Sequence, residues 1–275
     1  MTRIAVLQMA TGIDPAANAA ALFAAVAEAA QGGAAMLFTP EMSGLLDRDR
    51  SRAAQHVVAE ADNPVLAATC RAAAEHGLWV ALGSLAVRRD DGRWANRSLL
   101  IDDQGRIAAR YDKIHMFDVA LASGETWRES VAYAPGDRVV TAETPAGRLG
   151  LAVCYDIRFP ALFVELGGQA CDVIAIPAAF TVPTGQAHWH LLQRARAVEA
   201  SAYVIAAAQA GDHADGRRTY GHSLVIDPWG EVLLDLGGEG PALGFAEIDP
   251  ARIAAVRAQL PSLANRRAIP KSNSA

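Results

Sequence analysis

Two central sheets with helices packed outside them form the α/β architecture that three features of the sequence predict. Apolar runs of strand length recur along the chain, and several are separated by longer stretches with helical spacing. The runs between Trp79 and Tyr111 instead follow one another across Asp90-Asp91-Gly92 and Asp102-Asp103-Gln104-Gly105, as neighbouring strands of a meander do. This mixture of βα units and hairpins suits two sheets better than one doubly wound parallel sheet.

Taken in order, Ile4-Ala5-Val6-Leu7 opens a strand within the run Arg3 to Met9. Pro15 to Gln31 is alanine-rich, carries Leu22, Phe23 and Val26 at helical spacing, and stops at Gly32-Gly33. Met36-Leu37-Phe38 is a buried strand broken by Thr39-Pro40, so Glu41 falls just past a strand end, where α/β sheets commonly place chemistry. Asn63 to His76 reads as a helix stopped by Gly77. Trp79 to Val87, Trp94 to Ile101 and Arg106 to Tyr111 are the meander strands. Asp112 to Gly136 is a polar loop long enough to suggest a role of its own. Arg138 to Glu143 and Arg148 to Val153 form a hairpin that delivers Cys154. Phe159 to Gly167 is helical, Val173 to Pro177 a strand, and His188 to Ala200 a helix. Tyr203 to Ala208, Gly221 to Ile226, Val232 to Leu236 and Leu243 to Ile248 are extended, and Asp249-Pro250 starts a last helix reaching Leu260. No composition break makes a linker, so one domain spanning 1–275 is expected.

Composition narrows the function. The chain is 52% hydrophobic and 20% charged, ample for a core, with a net charge of -5 and basic residues scattered rather than clustered. Nucleic acid is therefore not an expected partner. No apolar run reaches the ~18 residues of a membrane span, and the first is too short for a signal sequence, so a cytoplasmic protein away from membranes is expected. Cys70, Cys154 and Cys171 are odd in number and lack CxxC spacing, which predicts free thiols rather than disulfides or a zinc ribbon.

Free cysteine is often inert core filler. Cys154 stands out because it leaves an apolar strand through a sharp turn, and because Glu41 and Lys113 also sit just past strand ends. A cysteine nucleophile with a free pKa of about 8.5 needs a base to become thiolate, and the order Glu, Lys, Cys supplies one together with a cation. Rival sites are weaker. His188 and His190 are spaced i, i+2 and point to different faces of a helix, so no metal is expected there. Gly221-His222-Ser223-Leu224-Val225 lacks the second glycine of a serine elbow. Gly237-Gly238-Glu239-Gly240 has neither dinucleotide-site spacing nor a helix, so no cofactor is expected. Cys70 and Cys171 read as packing residues.

Thr39-Pro40-Glu41, Asp112-Lys113-Ile114-His115-Met116-Phe117-Asp118 and Cys154-Tyr155-Asp156-Ile157-Arg158-Phe159-Pro160 resemble the three motifs of the nitrilase superfamily of carbon–nitrogen hydrolases. Thr184 to Trp189, Arg194 to Glu199 and Tyr220 to Ser223 with Asp227-Pro228-Trp229-Gly230 are similar to its Nit-type amidase branch. The resemblance covers essentially the whole chain. It implies a four-layer α-β-β-α sandwich, paired into a homodimer or higher homo-oligomer. It further implies that Cys154 attacks an amide carbonyl, that Glu41 takes its proton and later activates water, and that Lys113 with the backbone N–H of Tyr155 holds the oxyanion. The second glutamate of the motif set maps onto Glu129, which is followed by serine, with Glu125 as the alternative. Such a residue would orient Lys113 and make Glu41 a readier proton acceptor.

The implied reaction releases ammonia from a small carboxylate-bearing primary amide, of the deaminated glutathione or α-ketoglutaramate kind, through a cysteine thioester. N-carbamoyl amino acids or nitriles are the alternative substrates, and a non-catalytic scaffold is the alternative class. Arg158, Arg217 and Arg218 are candidates to hold the carboxylate, although Arg158 could instead pair with Asp156 and Arg217-Arg218 could be a solvated loop. Phe180, His188 and Trp189 are candidate pocket residues.

Overall fold

The computed structural model of the protein describes residues 1–122, 124 and 126–270. Strand β1 (Thr2–Gln8), helix α1 (Pro15–Gln31) and β2 (Met36–Phe38) lead to a one-turn helix α2 (Arg50–Ala53), then α3 (Pro64–His76), β3 (Trp79–Arg88), β4 (Trp94–Ile101) and β5 (Ile107–Asp112). Small strands β6 (Asp118–Ala120) and β7 (Thr126–Arg128) precede β8 (Thr141–Thr144), β9 (Gly147–Leu151), α4 (Pro160–Gly168) and β10 (Val173–Ala175). After α5 (Val182–Ala200) come β11 (Tyr203–Ala206), β12 (Ala210–Asp212), β13 (Arg218–Tyr220), β14 (Leu224–Ile226), β15 (Val232–Asp235), β16 (Ala242–Ile248) and α6 (Pro250–Gln259).

Two six-stranded sheets result, ordered β16-β1-β2-β3-β4-β5 and β15-β14-β11-β10-β9-β8. Each has three parallel strands at its centre, β1-β2-β3 in the first and β9-β10-β11 in the second, with antiparallel strands outside them. Alternation along β1 sorts the layers. Ile4 and Val6 join Phe38, Leu149, Leu151 and Val173 in a cluster between the sheets, whereas Ala5 and Leu7 join Leu22, Val26, Leu66 and Ala73 beneath α1 and α3. On the other side Leu162, Phe163, Trp189 and Ala197 place α4 and α5 over the second sheet. The order of layers is helix, sheet, sheet, helix.

Three helices start by the same device. Asp14, Asn63 and Asp249 each accept a hydrogen bond from a first-turn N–H while proline occupies the first helical position, where its missing N–H costs nothing. Helix α5 differs from the sequence expectation, beginning at Val182 rather than near His188. Gly185 argues against a helix by propensity, yet a Cβ there would lie 2.2 Å from the Tyr220 ring, so packing requires the glycine. The Asp112 to Gly136 segment is also more ordered than its composition suggests, because β6 and β7 pair within it and a single 3-10 turn follows at Glu129–Val131. Three-residue strands are too short to leave a period in the sequence. Among the described residues, no helix is long and apolar enough to cross a membrane.

Candidate active site

Glu41 owes its place to an irregularity in β3. The register of β3 against β4 shifts between Leu82 and Leu85, and the bulge presents Gly83 and Ser84 to the chain leaving β2. Thr39 Oγ1 accepts from the Gly83 N–H (2.9 Å), Ser84 Oγ accepts from the Met42 N–H (2.9 Å), and the Ser84 carbonyl accepts from the Ser43 N–H (3.0 Å). Gly83 is required because a Cβ there would stand 1.9 Å from the Thr39 carbonyl oxygen. From the other sheet, Gln209 Nε2 donates to the Glu41 backbone carbonyl at 2.9 Å.

Lys113 follows β5, and its side chain is 2% exposed. Its Nζ donates to Glu41 Oε1 (3.1 Å) and to both oxygens of Glu129 (3.1 and 2.9 Å). Glu129 also accepts from the Phe117 N–H at 2.6 Å, and Asn96 Nδ2 bridges the two carboxylates, at 2.8 Å from Glu41 Oε1 and 3.2 Å from Glu129 Oε1. Burial opposes the Lys113 charge, but the carboxylates of Glu129 and Glu41 outweigh it and hold the ammonium well above the ordinary lysine range. Lys113 is therefore a fixed cation.

Cys154 comes from the opposite sheet. It opens a 3-10 turn, Cys154–Arg158, just past β9, with φ at 49°, a left-handed conformation that costs a non-glycine residue roughly 1–2 kcal/mol. The Cys154 N–H donates to the Pro177 carbonyl at 2.8 Å, and the buried Asp156 braces the turn. Asp156 accepts from the Val153 N–H (2.9 Å), the Tyr111 hydroxyl (2.7 Å) and the His115 N–H (2.9 Å), while His115 Nδ1 lies 2.7 Å from its Oδ1. One carboxylate thus ties the Lys113 loop to the Cys154 turn. Burial pushes the Cys154 thiol well up, and the Glu41 charge and its hydrogen bond to the thiol push it further, against the pull of Lys113. Glu41 Oε2 is anchored from the same sheet as Cys154 by the Ala179 N–H at 2.9 Å.

These groups form the floor of a cavity of about 840 Å³, lined by Glu41, Lys113, Glu129, Cys154, Tyr155, Arg158, Phe180, Arg217 and Arg218 among others. The Tyr155 N–H belongs to the first turn after Cys154, where a helix leaves its donors without internal partners. Arg158 does not pair with Asp156. Its guanidinium lies 5.5 Å from the Phe180 ring centroid and 3.3 Å from His188 Nδ1, and it has no ion-pair partner among the described residues. Arg217 is bound to Asp215 at 2.7 Å and stacks over Trp127, while Arg218 is 70% exposed, 3.7 Å from Asp212. His188 and Trp189 are not among the lining residues; Trp189 is buried behind Phe180, donating to the His222 carbonyl at 2.7 Å. Glu125, the alternative second glutamate, lies outside the described residues.

The sequence reading missed Asn96, Gln209 and the brace at Asp156. Asn96 had a signal, an amide within the strand-length run Trp94–Ile101, and the structure buries it fully. Gln209 had none, since it lies in the short link between β11 and β12 and acts on a backbone atom more than 160 residues distant in sequence.

Fold and site together define an α-β-β-α sandwich that brings Glu41, Lys113 and Cys154 to one cavity. The carbon-nitrogen hydrolase family model matches residues 3–258, and the chain belongs to that family. It is similar to the deaminated glutathione amidase of Yersinia enterocolitica, 38% identical over 270 residues, covering 96% of this chain and 92% of that protein. Among solved structures it resembles the C. elegans NitFhit protein with a TM-score of 0.89 and 34% identity, over 97% of this chain and 65% of that longer one. It also resembles a mutant of the amidase from Nesterenkonia sp. AN1, with a TM-score of 0.80, 25% identity and coverage of 97% and 94%. In that structure the acetamide moiety of fluoroacetamide is bonded to the active-site cysteine.

Proposed function

We propose that this carbon–nitrogen hydrolase is an amidase for small carboxylate-bearing amides, with deaminated glutathione and α-ketoglutaramate as leading substrates. The observation that carries the reading is the Cys154 thiol set against Glu41 and Lys113 on the floor of an arginine-rimmed cavity. Cys154 Sγ attacks the amide carbonyl as Glu41 takes the thiol proton. Lys113 and the Tyr155 N–H stabilise the oxyanion, both already in place before charge develops. Glu41 passes its proton to the departing nitrogen as the C–N bond breaks, leaving a thioester. Water, deprotonated by Glu41, then releases the acid and restores the thiol. Glu129 accepts from Lys113, Asn96 and Phe117 at once, so its role is to position the cation rather than to exchange protons.

Arg158 is the preferred carboxylate clamp because, unlike Arg217 and Arg218, it spends its charge on no acid among the described residues. From α-ketoglutaramate the leaving group is ammonia; deaminated glutathione is a secondary amide, not the primary amide with which the sequence reading grouped it, so its leaving group is the cysteinylglycine amine and no ammonia is freed, while the acyl-enzyme is the same. The protein works as a cytoplasmic homodimer in this reading. Free thiols at Cys70, Cys154 and Cys171 suit a reducing compartment, and exposed Leu191, Val198, Val164 and Trp229 offer apolar surface on the α4–α5 side. Size-exclusion chromatography with light scattering tests the dimer.

Substrates are tested by following keto-acid and amine release from both amides, an N-carbamoyl amino acid and a nitrile. The expected result is turnover of the two amides, lost in Cys154→Ala, with Arg158→Gln raising KM at least tenfold on carboxylate-bearing amides and leaving propionamide unaffected. Turnover confined to the nitrile or carbamoyl compound would overturn the reading.

A further inference from the structure

Outside the cavity, three elements converge on a second cluster that the hydrolysis does not use. His190 projects from α5, His222 from the turn between β13 and β14, and Asp235 from the end of β15. Asp235 Oδ2 lies 3.0 Å from His190 Nε2 and 3.1 Å from His222 Nδ1, and the three candidate ligand atoms all fall within 4.8 Å of one another. The geometry points to a divalent transition-metal site of the zinc type formed by His190, His222 and Asp235.

Metal bonds of about 2.0–2.2 Å at tetrahedral angles place ligand atoms roughly 3.3 Å apart, so to admit an ion the two carboxylate contacts open slightly and the two imidazole nitrogens, within 4.8 Å of each other, settle at that spacing. Two imidazoles and one carboxylate are a donor set that suits zinc, cobalt or nickel and does not suit calcium or magnesium, which take oxygen ligands. The ligands are pre-oriented. Asp235 Oδ1 accepts from the Gly237 N–H at 2.9 Å, which turns the carboxylate. His222 adopts φ of 55°, and its carbonyl is held by Trp189 Nε1 at 2.7 Å. The neighbouring Ser223 N–H is held by Gln8 Oε1 at 2.9 Å. Side-chain exposures of 37%, 26% and 33% leave room for a fourth ligand from solvent or from another molecule. The competing arrangement is a metal-free bridge in which the two imidazoles simply share one carboxylate.

Cobalt(II) titration of the full chain separates the two. Three N/O ligands give a saturable 1:1 d–d absorption band without the thiolate charge-transfer band that binding at Cys154, Cys70 or Cys171 would add. Cys154→Ala should leave the band unchanged. His190→Ala, at a half-buried position of α5, and Asp235→Asn should each weaken cobalt and zinc binding at least tenfold while circular dichroism and amide turnover stay as in the parent. A folded protein that shows no saturable binding at millimolar cobalt would overturn the proposal. Affinity unchanged in both variants, or a spectrum dominated by thiolate charge transfer, would overturn it equally. Because the readout is metal binding, its failure is distinct from failure of the amidase reading.

Discussion

Gly83→Ala is the change that best tests how the fold places Glu41, the proposed general base. A methyl group there would meet the Thr39 carbonyl oxygen at 1.9 Å and the Pro40 carbonyl oxygen at 2.5 Å, against an ordinary contact of 3.4 Å or more. Both atoms are backbone, so relief needs the turn after β2 to move by about 1 Å or more, carrying Glu41 with it. Misplacement on that scale costs on the order of a hundredfold in rate, equivalent to about 2.7 kcal/mol of transition-state stabilisation. Overpacking should also cost about 1–3 kcal/mol of stability, which for a chain of 275 residues lowers Tm by roughly 2–5 °C. The assay is steady-state hydrolysis of a carboxylate-bearing amide alongside a thermal melt. KM should change little, because the cavity's arginines do not touch this turn. Gly92→Ala is the control: Gly92, unlike Gly83, sits at φ 80°, so alanine strains its turn locally, but nothing lies within 4 Å of its Cβ position and kcat should be unaffected. A folded Gly83→Ala enzyme with kcat within twofold of the parent would refute the reasoning that the β3 bulge positions Glu41.

Other outcomes follow from the electrostatics and hydrogen bonds of the same site. Burial and the Glu41 charge both hold the Cys154 proton on, so Glu41→Gln removes one of them while the opposing pull of Lys113 remains. Thiolate absorbance at 240 nm, taken as the difference from the matching Cys154→Ser protein, should therefore develop at lower pH in Glu41→Gln than in the parent; a profile displaced to higher pH contradicts this. Asn96→Leu deprives the buried Glu41 and the partly buried Glu129 of a donor, and each charge-assisted bond contributes about 1.5–3 kcal/mol. Urea unfolding should show a loss of at least about 2 kcal/mol, and a loss below about 0.5 would mean that Asn96 is a bystander. Tyr111→Phe removes one of the bonds to Asp156, so it should lower stability by about 1.5–3 kcal/mol and reduce kcat more than it raises KM. An unchanged kcat would separate the brace from catalysis.

What the sequence made legible here were residues whose local chain carries the signal. Pro40 breaks β2 one residue before Glu41, and Cys154 ends an apolar run, so both could be placed at strand ends without knowing which strands are neighbours. The α/β class and the helices capped by Asp14, Asn63 and Asp249 were readable for the same reason. Contacts formed by tertiary approach were not. The β3 bulge is a property of two paired strands, and Gly83-Ser84 reads as ordinary strand until β2 is laid beside it. Asp156 was weighed as a partner for Arg158 two residues away, yet it binds Tyr111 and His115 from the other sheet, because the turn aims it inward. The early start of α5 was hidden by Gly185, whose low helix propensity is overridden by its contact with Tyr220.

Glu41 and Lys113 leave one sheet while Cys154 and the Ala179 N–H leave the other, so the reactive centre exists only where the two sheets face each other. Neither half of the chain carries a partly active version of the site. In the proposed mechanism a newly made chain is chemically quiet until the two sheets dock, and hydrolysis becomes a gauge of sandwich closure: a form whose sheets have slipped apart would keep its helices and strands, and its far-ultraviolet spectrum, while turning over no substrate. Activity lost ahead of secondary structure during gentle denaturation would be the sign of that seam opening first.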